Sequence, residues 1–443
     1  MASFNGSSQE RSNATTYGFE LITIGKESIL SMQLSAAAAE TPITSIKDNP
    51  DVYAEIYARV LVLSDNNIQL AIVTVDFGQF PLKYNQVLLD AIEQTTNIPT
   101  EHIIINCSHT HNAPGVDGRW ISEESEVWLA TCLAGLVKKA VDSLEPATLC
   151  VGRAPVQIGY NRRLMREDGH IIMAPNPEGA VVPWVDVLGV YDSSGGVIAV
   201  LFSHAAHPVI VHWSSEEIGA DFPGYAVEHL RNFLDLKTSS VLLFAQGCAA
   251  NINGYPLRGG FEACDVAGLS LAFATYQALR IAEVIPAAPL NTQSVMVKLP
   301  FQDPPSIAEC EQLIAEYPDD NRYVALLEVA KSNEERFLPF PMRAFGIGKS
   351  FCILSVSHEL FAEYQLFVDD TSPFSHTFMF GYTNGSEVYI ATKKDYELGL
   401  KGGYEAGPRN HALGGPYRLA LHPSVEVQIR EEITDLLREL NNS

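Results

Sequence analysis

The sequence predicts an α/β fold: a mixed β-sheet core with flanking helices. Three observations predict it. Apolar strand-like runs alternate with segments of helical periodicity along most of the chain. Several neighbouring runs are joined by short turn sequences, which places hairpins within that alternation. The 443 residues are 47% hydrophobic and 19% charged, enough to bury a large core. Residues 1–17 read as a flexible polar leader and residues 18–443 as one α/β domain. Two domains meeting near residue 290 are the alternative.

Each element follows from local pattern. "IYARVLVL" (56–63) and "IQLAIVTVDF" (68–77) read as strands joined by a "SDNN" turn. A helix is predicted around "NQVLLDAIEQTT" (85–96), then a buried strand at "HIIINCS" (102–108). Residues 123–144 begin acidic, keep an apolar face at helical spacing and carry lysines later, so they predict a helix. "ATLCVGRAPVQIGYN" (147–161) reads as strand, turn, strand. "WVDVLGVYD" (184–192) and "VIAVLFSHAAHP" (197–208) form a hairpin around "SSGG". Helices are predicted at 222–234 and 263–279, with strands at 240–247 and 293–301. Residues 305–336 read as a charged helical insertion. Strand pattern resumes over 343–361 and 377–390, and "VEVQIREEITDLLREL" (425–440) is an amphipathic helix. The glycine-rich run 399–415 reads as a loop beside a site.

Charge and composition exclude several roles. The net charge of −24 argues against a nucleic-acid partner and against an anionic membrane surface. No stretch near 20 apolar residues predicts a membrane span. The first residues lack a basic start and an apolar segment, so no secretory signal is expected. Seven scattered cysteines without a CxxC pair fit reduced thiols and a cytoplasmic location.

Four apolar runs end in polar clusters, and ligands of open α/β sheets sit beyond strand ends. "SHTHNAPG" offers His109 and His111, which share a face if the strand persists through them. Two such imidazoles can share one metal, or one can bind while the other acts in chemistry. "LFSHAAHPVIVHW" offers His204, His207 and His212, so five of the twelve histidines lie in two strand-end clusters. That concentration favours a metal site over isolated structural histidines. "LLFAQGCAANINGY", with Gln246, Gly247 and Gly254, predicts a tight turn whose backbone N–H groups suit an oxyanion or carboxylate. "SHELFAEY" offers Glu359 and Glu363, which face one way if helical.

Taken together, these segments resemble the neutral ceramidase superfamily of zinc-dependent amide hydrolases. "SHTHNAPG" is similar to the family's Thr-His-Thr-His-Ser-Gly-Pro-Gly, "YNRR" to its Asn-Arg motif, and "HPVIVHW" followed by "GADFPGYA" to its His-Pro segment. "FAQGCAANIN", "SHELF" and "GYTNGSEVYIATKKDYELGLKGGYEA" resemble three further family segments in the same order. The resemblance runs from about residue 56 to residue 406. It implies a Zn²⁺ site made of His109, His207, Glu359 and Tyr389, with Tyr382 the other candidate tyrosine. His111 and Arg162 match family positions near the scissile amide, with Arg163 the alternative arginine. Tyr404 matches a pocket tyrosine, and His212 and Gln246 are further candidate substrate contacts.

The departures narrow the reading. Asn253 stands where the family has a serine beside the metal, and Asn251 where it has an aspartate. Asn253 is expected to orient substrate or stabilise an oxyanion, with Cys248 the alternative nucleophile. A metal that lowers the pKa of water to about 7 removes the need for either. The resemblance ends near the C-terminal helix, so the extra β-domain of true ceramidases is expected to be absent. The expected substrate is therefore a soluble small or medium-sized N-acyl or peptide-like amide rather than ceramide. Ester or lactone hydrolysis, amide formation on the same metal, and a non-catalytic ligand-binding role remain open at this level.

Overall fold

Strands buried on both faces produce unbroken apolar runs, and that is what the longest runs here encode. A computed structural model describes residues 34–46, 51–115, 120–236, 239–332, 336–407 and 419–443. The leader 1–17, the domain start at residue 18 and residues 408–415 of the glycine-rich run lie outside the described residues.

In chain order the first strands are β1 (Ser35–Pro42), β2 (Tyr57–Ser64), β3 (Gln69–Val75), β4 (Ile103–Cys107), β5 (Glu145–Pro155), β6 (Gly159–Met165), β7 (Ile171–Asn176), β8 (Trp184–Asp192), β9 (Val197–His204) and β10 (Val241–Gln246). The main sheet has the order β10-β9-β8-β5-β1-β2-β3-β4. β3 and β4 pair in parallel at one end, and β9 and β10 pair in parallel at the other. The intervening pairs are antiparallel. The sheet is mixed, as the sequence predicts.

Side-chain alternation sorts the core into layers. On β2 and β3, Val60, Val62, Ala71 and Val73 face the helices α1 (Leu82–Thr96) and α2 (Glu123–Val141). On β8, β9 and β10, Val187, Phe202 and Phe244 face α3 (Phe222–Phe233) and α4 (Gly260–Arg280). The intervening residues share one inner cluster: Leu61, Ile72 and Ile104 from one wing meet Leu188, Leu201 and Leu243 from the other. The sheet therefore folds back on itself, giving the layer order helix, strand, strand, helix. Fully burying one such leucine contributes about 2 kcal/mol.

The strand that joins the wings is one the sequence left unassigned. β1 reads "SAAAAETP", and alanine is the best helix former. Its whole length nevertheless pairs with β2, while Ser35 and Ala36 pair with β5. Small side chains fit where two wings diverge from one strand, so tertiary packing overrides propensity.

Beyond the wings the chain adds β11 (Ile252–Gly254), β12 (Glu283–Val284), β13 (Leu290–Pro300), β14 (Phe337–Ile347), β15 (Phe351–Val356), β16 (Glu359–Leu360), β17 (His376–Phe380) and β18 (Tyr389–Ile390). A second sheet runs β13-β14-β15-β17 and shares a core with the helix Val425–Asn442. Two small pairings bear on the site: β11-β6-β7, and β16 beside β18. The charged insertion folds as α5 (Ile307–Glu316) and α6 (Asn321–Lys331), and a Ser306/Glu309 capping box starts the first of these.

Candidate metal centre

The closure of the sheet brings its polar strand ends to one place. Asn106, on β4, stitches them together. Its amide donates to the carbonyls of Gln246 (3.2 Å) and Gly381 (2.7 Å), and its Oδ1 accepts from the Gln246 N–H (2.8 Å). Gln246 does the same one layer up: its amide donates to Ser108 O (3.0 Å) and Ala206 O (2.8 Å). Those two carbonyls each immediately precede a segment that carries a histidine of the cluster.

β4 stops at Cys107, so the strand does not persist through the His-Thr-His triplet. His109 has φ +64°, a left-handed turn that is uncommon for a side chain of its size. Strand alternation therefore does not place His109 and His111 on one face: the turn, not a pleat, brings them together, with ring centroids 5.0 Å apart. His207 follows β9 and lies 4.8 Å from His109, ring to ring. Nitrogens of His109, His111 and His207 all lie within 4.8 Å of one another.

Backbone carbonyls fix two of the three imidazoles. His109 Nδ1 is 2.7 Å from Gly78 O, and His207 Nδ1 is 2.8 Å from Ala249 O. A carbonyl only accepts, so each Nδ1 carries the proton and each Nε2 keeps a lone pair. Among the described residues both Nε2 atoms are buried without a hydrogen-bond partner. They face one carboxylate oxygen, Glu359 Oε2, at 3.4 and 3.3 Å. Two lone pairs and a carboxylate oxygen converging in a buried space repel one another unless a cation lies between them. The donor set is one that could hold a metal ion.

The protonation states agree with that arrangement. Burial, reinforced by His207 and His111 and opposed by Glu359, lowers the His109 pKa to about 3. Burial, and then the charge of Arg162, holds His207 well below the ordinary histidine range. Both stay neutral and keep their lone pairs. Burial raises the Glu359 carboxyl, although His109 and Arg162 oppose it. Glu359 is placed by the β16–β18 pair, which sets it opposite Tyr389. Tyr382 Oη donates to Glu359 Oε2 at 3.3 Å, and its ring lies tilted against His109, 4.4 Å between centroids. Both tyrosines thus adjoin the carboxylate.

A second set of groups borders the first. Arg162 lies on β6, paired with β11, and a bridge between His207 and Asn253 joins that pair to the histidine loop. Arg162 Nε donates to Glu405 Oε1 (2.8 Å) and its Nη1 to Asn253 Oδ1 (2.9 Å). Among the described residues its Nη2 and the amide nitrogen of Asn253 are buried donors without a hydrogen-bonded acceptor. Burial works against the Arg162 charge, but Glu405, Tyr389 and Glu359 together outweigh it and hold the guanidinium above its usual range. Arg163 is spent on structure: it bonds Glu405, Asp395 (3.0 Å) and Gly402 O (2.9 Å). Of the two arginines, Arg162 is the one with a donor left over.

Solved structures place this arrangement among known folds. The chain matches the neutral ceramidase of Pseudomonas aeruginosa with a TM-score of 0.71 and 17% identity, covering 93% of this chain and 75% of that one. It matches a ceramidase complexed with C2 with the same score and identity, covering 92% and 76%. The chain has the neutral ceramidase fold. No family model and no curated protein sequence matches it.

Within the ceramidase fold the remaining predicted positions divide clearly. His212 lies 4.9 Å from His111, ring to ring, and Tyr404 lies 5.4 Å from Tyr389 and is 53% exposed. Gln246 is fully buried and braces the histidine loops through the bonds given above. The expected exposed N–H groups of the Gln246 turn are not available. Gly247 N donates to His204 O and Gly254 N to His207 O, both at 3.1 Å. Gly254 packs so closely that a Cβ there would fall 2.9 Å from His207 O. Glu363 does not share a helix face with Glu359. It opens α7 (Ala362–Thr371) and accepts from the Asn251 amide at 2.8 Å. Cys248 is buried and its thiol is pushed far up, which removes it as a nucleophile. Glu405 stands beside Tyr404 in the "GYEA" segment, and that segment is the one signal in the sequence that bears on it.

Proposed function

We propose that the chain is a zinc-dependent hydrolase that cleaves an amide bond in a soluble N-acyl or peptide-like substrate. One observation carries the reading: two buried, tautomer-fixed Nε2 lone pairs share Glu359 Oε2 at 3.3–3.4 Å. Those separations match the edge of a tetrahedron with bonds of about 2.0–2.1 Å, the zinc–nitrogen and zinc–oxygen range. His109, His207 and Glu359 would hold the ion, with Tyr389 completing the set, and nitrogen and oxygen donors suit zinc. Bound there, zinc supplies Lewis-acid polarisation of the carbonyl and activates water at neutral pH.

The chain's own residues then have distinct tasks. Arg162 Nη2 and the Asn253 amide are fixed donors for the carbonyl oxygen as negative charge develops on it. His111, half-buried beside His109, moves the proton toward the leaving nitrogen. No side-chain nucleophile is required, which agrees with asparagine at position 253 and a buried thiol at Cys248. Tyr404 and His212 border the substrate. Among the described residues no helix is long and apolar enough to cross a membrane. Seven unpaired cysteines support a reducing, cytoplasmic setting.

Metal analysis of the purified protein and of His109→Ala and His207→Ala tests the metal. One zinc per chain is expected in the wild type, with loss in both variants. Stoichiometric zinc in both variants overturns the site. A panel of acyl amides against the matching esters tests the bond, and turnover of esters alone overturns the amide assignment.

A further inference from the structure

Three ring contacts lead outward from the buried centre. His109 meets His111 at 5.0 Å between centroids, His111 meets His212 at 4.9 Å, and His212 meets Trp213 at 5.1 Å. The two ends of that line differ in exposure, 1% at His109 against 61% at Trp213. The line therefore ends in an open indole three ring-to-ring steps from the metal ligands.

The indole is held in place rather than loosely displayed. Trp213 has φ +63°, and Arg258, which covers it, has φ +59°. Bulky side chains rarely adopt that backbone, and such residues gather at binding sites. The loops that carry them are laced together. Arg258 N donates to Val209 O (3.2 Å), Gly260 N to Ile210 O (3.1 Å) and Ser214 N to Val211 O (2.9 Å). The Arg258 guanidinium lies 4.0 Å from the centroid of the Trp213 ring. Among the described residues no carboxylate pairs with it. In a chain with 53 Asp and Glu against 29 Lys and Arg, an arginine beside the site without an acid is a place for an external one. A guanidinium stacked on a ring by its face keeps its in-plane donor fork, so a carboxylate takes two bonds without breaking the stack.

Resting on the amide-hydrolase reading above, we propose that Arg258, stacked on Trp213, is a specificity determinant that receives a carboxylate on the substrate. The preferred amides are then acids whose free carboxylate lies several bonds from the scissile amide, such as short peptide-like acids. The free carboxylate sits at the outer end of the ring line while the amide reaches the metal centre. The carboxylate's two oxygens meet the guanidinium fork, and the indole face packs against the adjoining carbon chain.

The test uses the metal-loaded full chain and matched pairs of a short N-acyl peptide acid and its neutral carboxamide. Wild type is expected to favour the acid by about tenfold in kcat/KM, the scale of one partly solvated charge-assisted contact. Arg258→Gln is expected to abolish that preference by raising KM for the acid. Its kcat, and both constants for the neutral partner, should stay within about twofold. Arg258→Lys should recover part of the preference. An unchanged preference in Arg258→Gln overturns the proposal, as does an equal loss on both substrates. If neither substrate is turned over, binding of the same pair is read by fluorescence, with Trp213→Phe isolating the Trp213 signal. An acid-selective response that Arg258→Gln removes upholds the carboxylate site while the hydrolase reading fails. No acid-selective response overturns the carboxylate site itself.

Discussion

Glu359→Gln should make the metal-free protein more stable and the zinc-loaded protein less stable. In the wild type, Glu359 Oε2 faces the bare Nε2 atoms of His109 and His207 at 3.4 and 3.3 Å, in a buried space. Glutamine keeps the shape, removes the charge and offers an N–H to one of those lone pairs. With the amide nitrogen in the Oε2 position, its second N–H is within reach of Tyr382 Oη, 3.3 Å away, which can accept it. Satisfying one buried acceptor and removing one desolvated charge should add about 1–3 kcal/mol to the metal-free state. With metal the sign reverses. Outer-shell partners alone alter affinity by about 10–100-fold, so loss of a direct anionic ligand should exceed about 100-fold, or about 2.7 kcal/mol. Urea unfolding with and without zinc reads the first effect, and titration against a competing chelator reads the second. The reasoning fails if the variant is the less stable protein without metal and its zinc affinity stays within about threefold of wild type. Glu359 would then be a structural acid and not a ligand.

Three further outcomes follow from the same geometry. Glu405→Gln leaves the buried Arg162 and Arg163 with one hydrogen-bonded carboxylate among the described residues, Asp395 on Arg163; urea unfolding should show a loss of about 3–5 kcal/mol, and a loss below about 1 kcal/mol would remove Glu405 from that role. Asn253→Ala should lower kcat by about 10²–10³-fold, as for removal of one oxyanion donor, with zinc content unchanged; a change confined to KM would make Asn253 a ground-state contact. His204 is buried, donates through Nδ1 to Trp184 O at 2.7 Å, and burial lowers its pKa to about 4. It stays neutral when folded, so the unfolded chain binds more protons between about pH 4 and 6.5, and its contribution is present above 6.5 and lost as pH falls. From pH 7.5 to 5 the wild type should lose about 2 kcal/mol more than His204→Gln in urea unfolding of metal-free protein. The comparison cancels Asp186 and Asp221, whose carboxyls burial raises to about 6 and which act in the opposite direction. Parallel pH profiles for the two proteins would contradict it.

Much of the fold was legible because its strands are buried on two faces. β2, β3, β9 and β10 are apolar at nearly every position, so each stands out against any turn. The polar ends of β4, β9, β10 and β15 were legible for the same reason: a polar residue directly after such a run is conspicuous. β1 was not, because four alanines carry no strand signal and only the neighbouring strands decide their state. The geometry of the centre was legible only in part. Periodicity suggested that His109 and His111 share a face, but a left-handed turn does the work, and φ is not written in histidine. The carbonyls of Gly78 and Ala249, which set the tautomers, have no side-chain signature at all. Glu405 lies 243 positions from Arg162, so no local pattern announces the pair.

The charge of the centre runs against the charge of the chain, and the local bonding explains how. The chain carries −24 overall, yet Arg162 and Arg163 balance Glu405 and Asp395 charge for charge. The imidazole tautomers are set by carbonyls, which contribute no net charge, and not by carboxylates. Among the described residues Glu359 is then the one anion directed at the histidine nitrogens, and a divalent ion held there would keep net positive charge. A bare Nη2 on Arg162 and a bare amide on Asn253 stand at its edge. A buried site built this way favours whatever becomes negative inside it, and the carbonyl oxygen of an amide under attack is such a group. The acidic exterior does not cancel this preference, because solvent screens distant surface charges over about 8–10 Å while the buried groups interact almost unscreened.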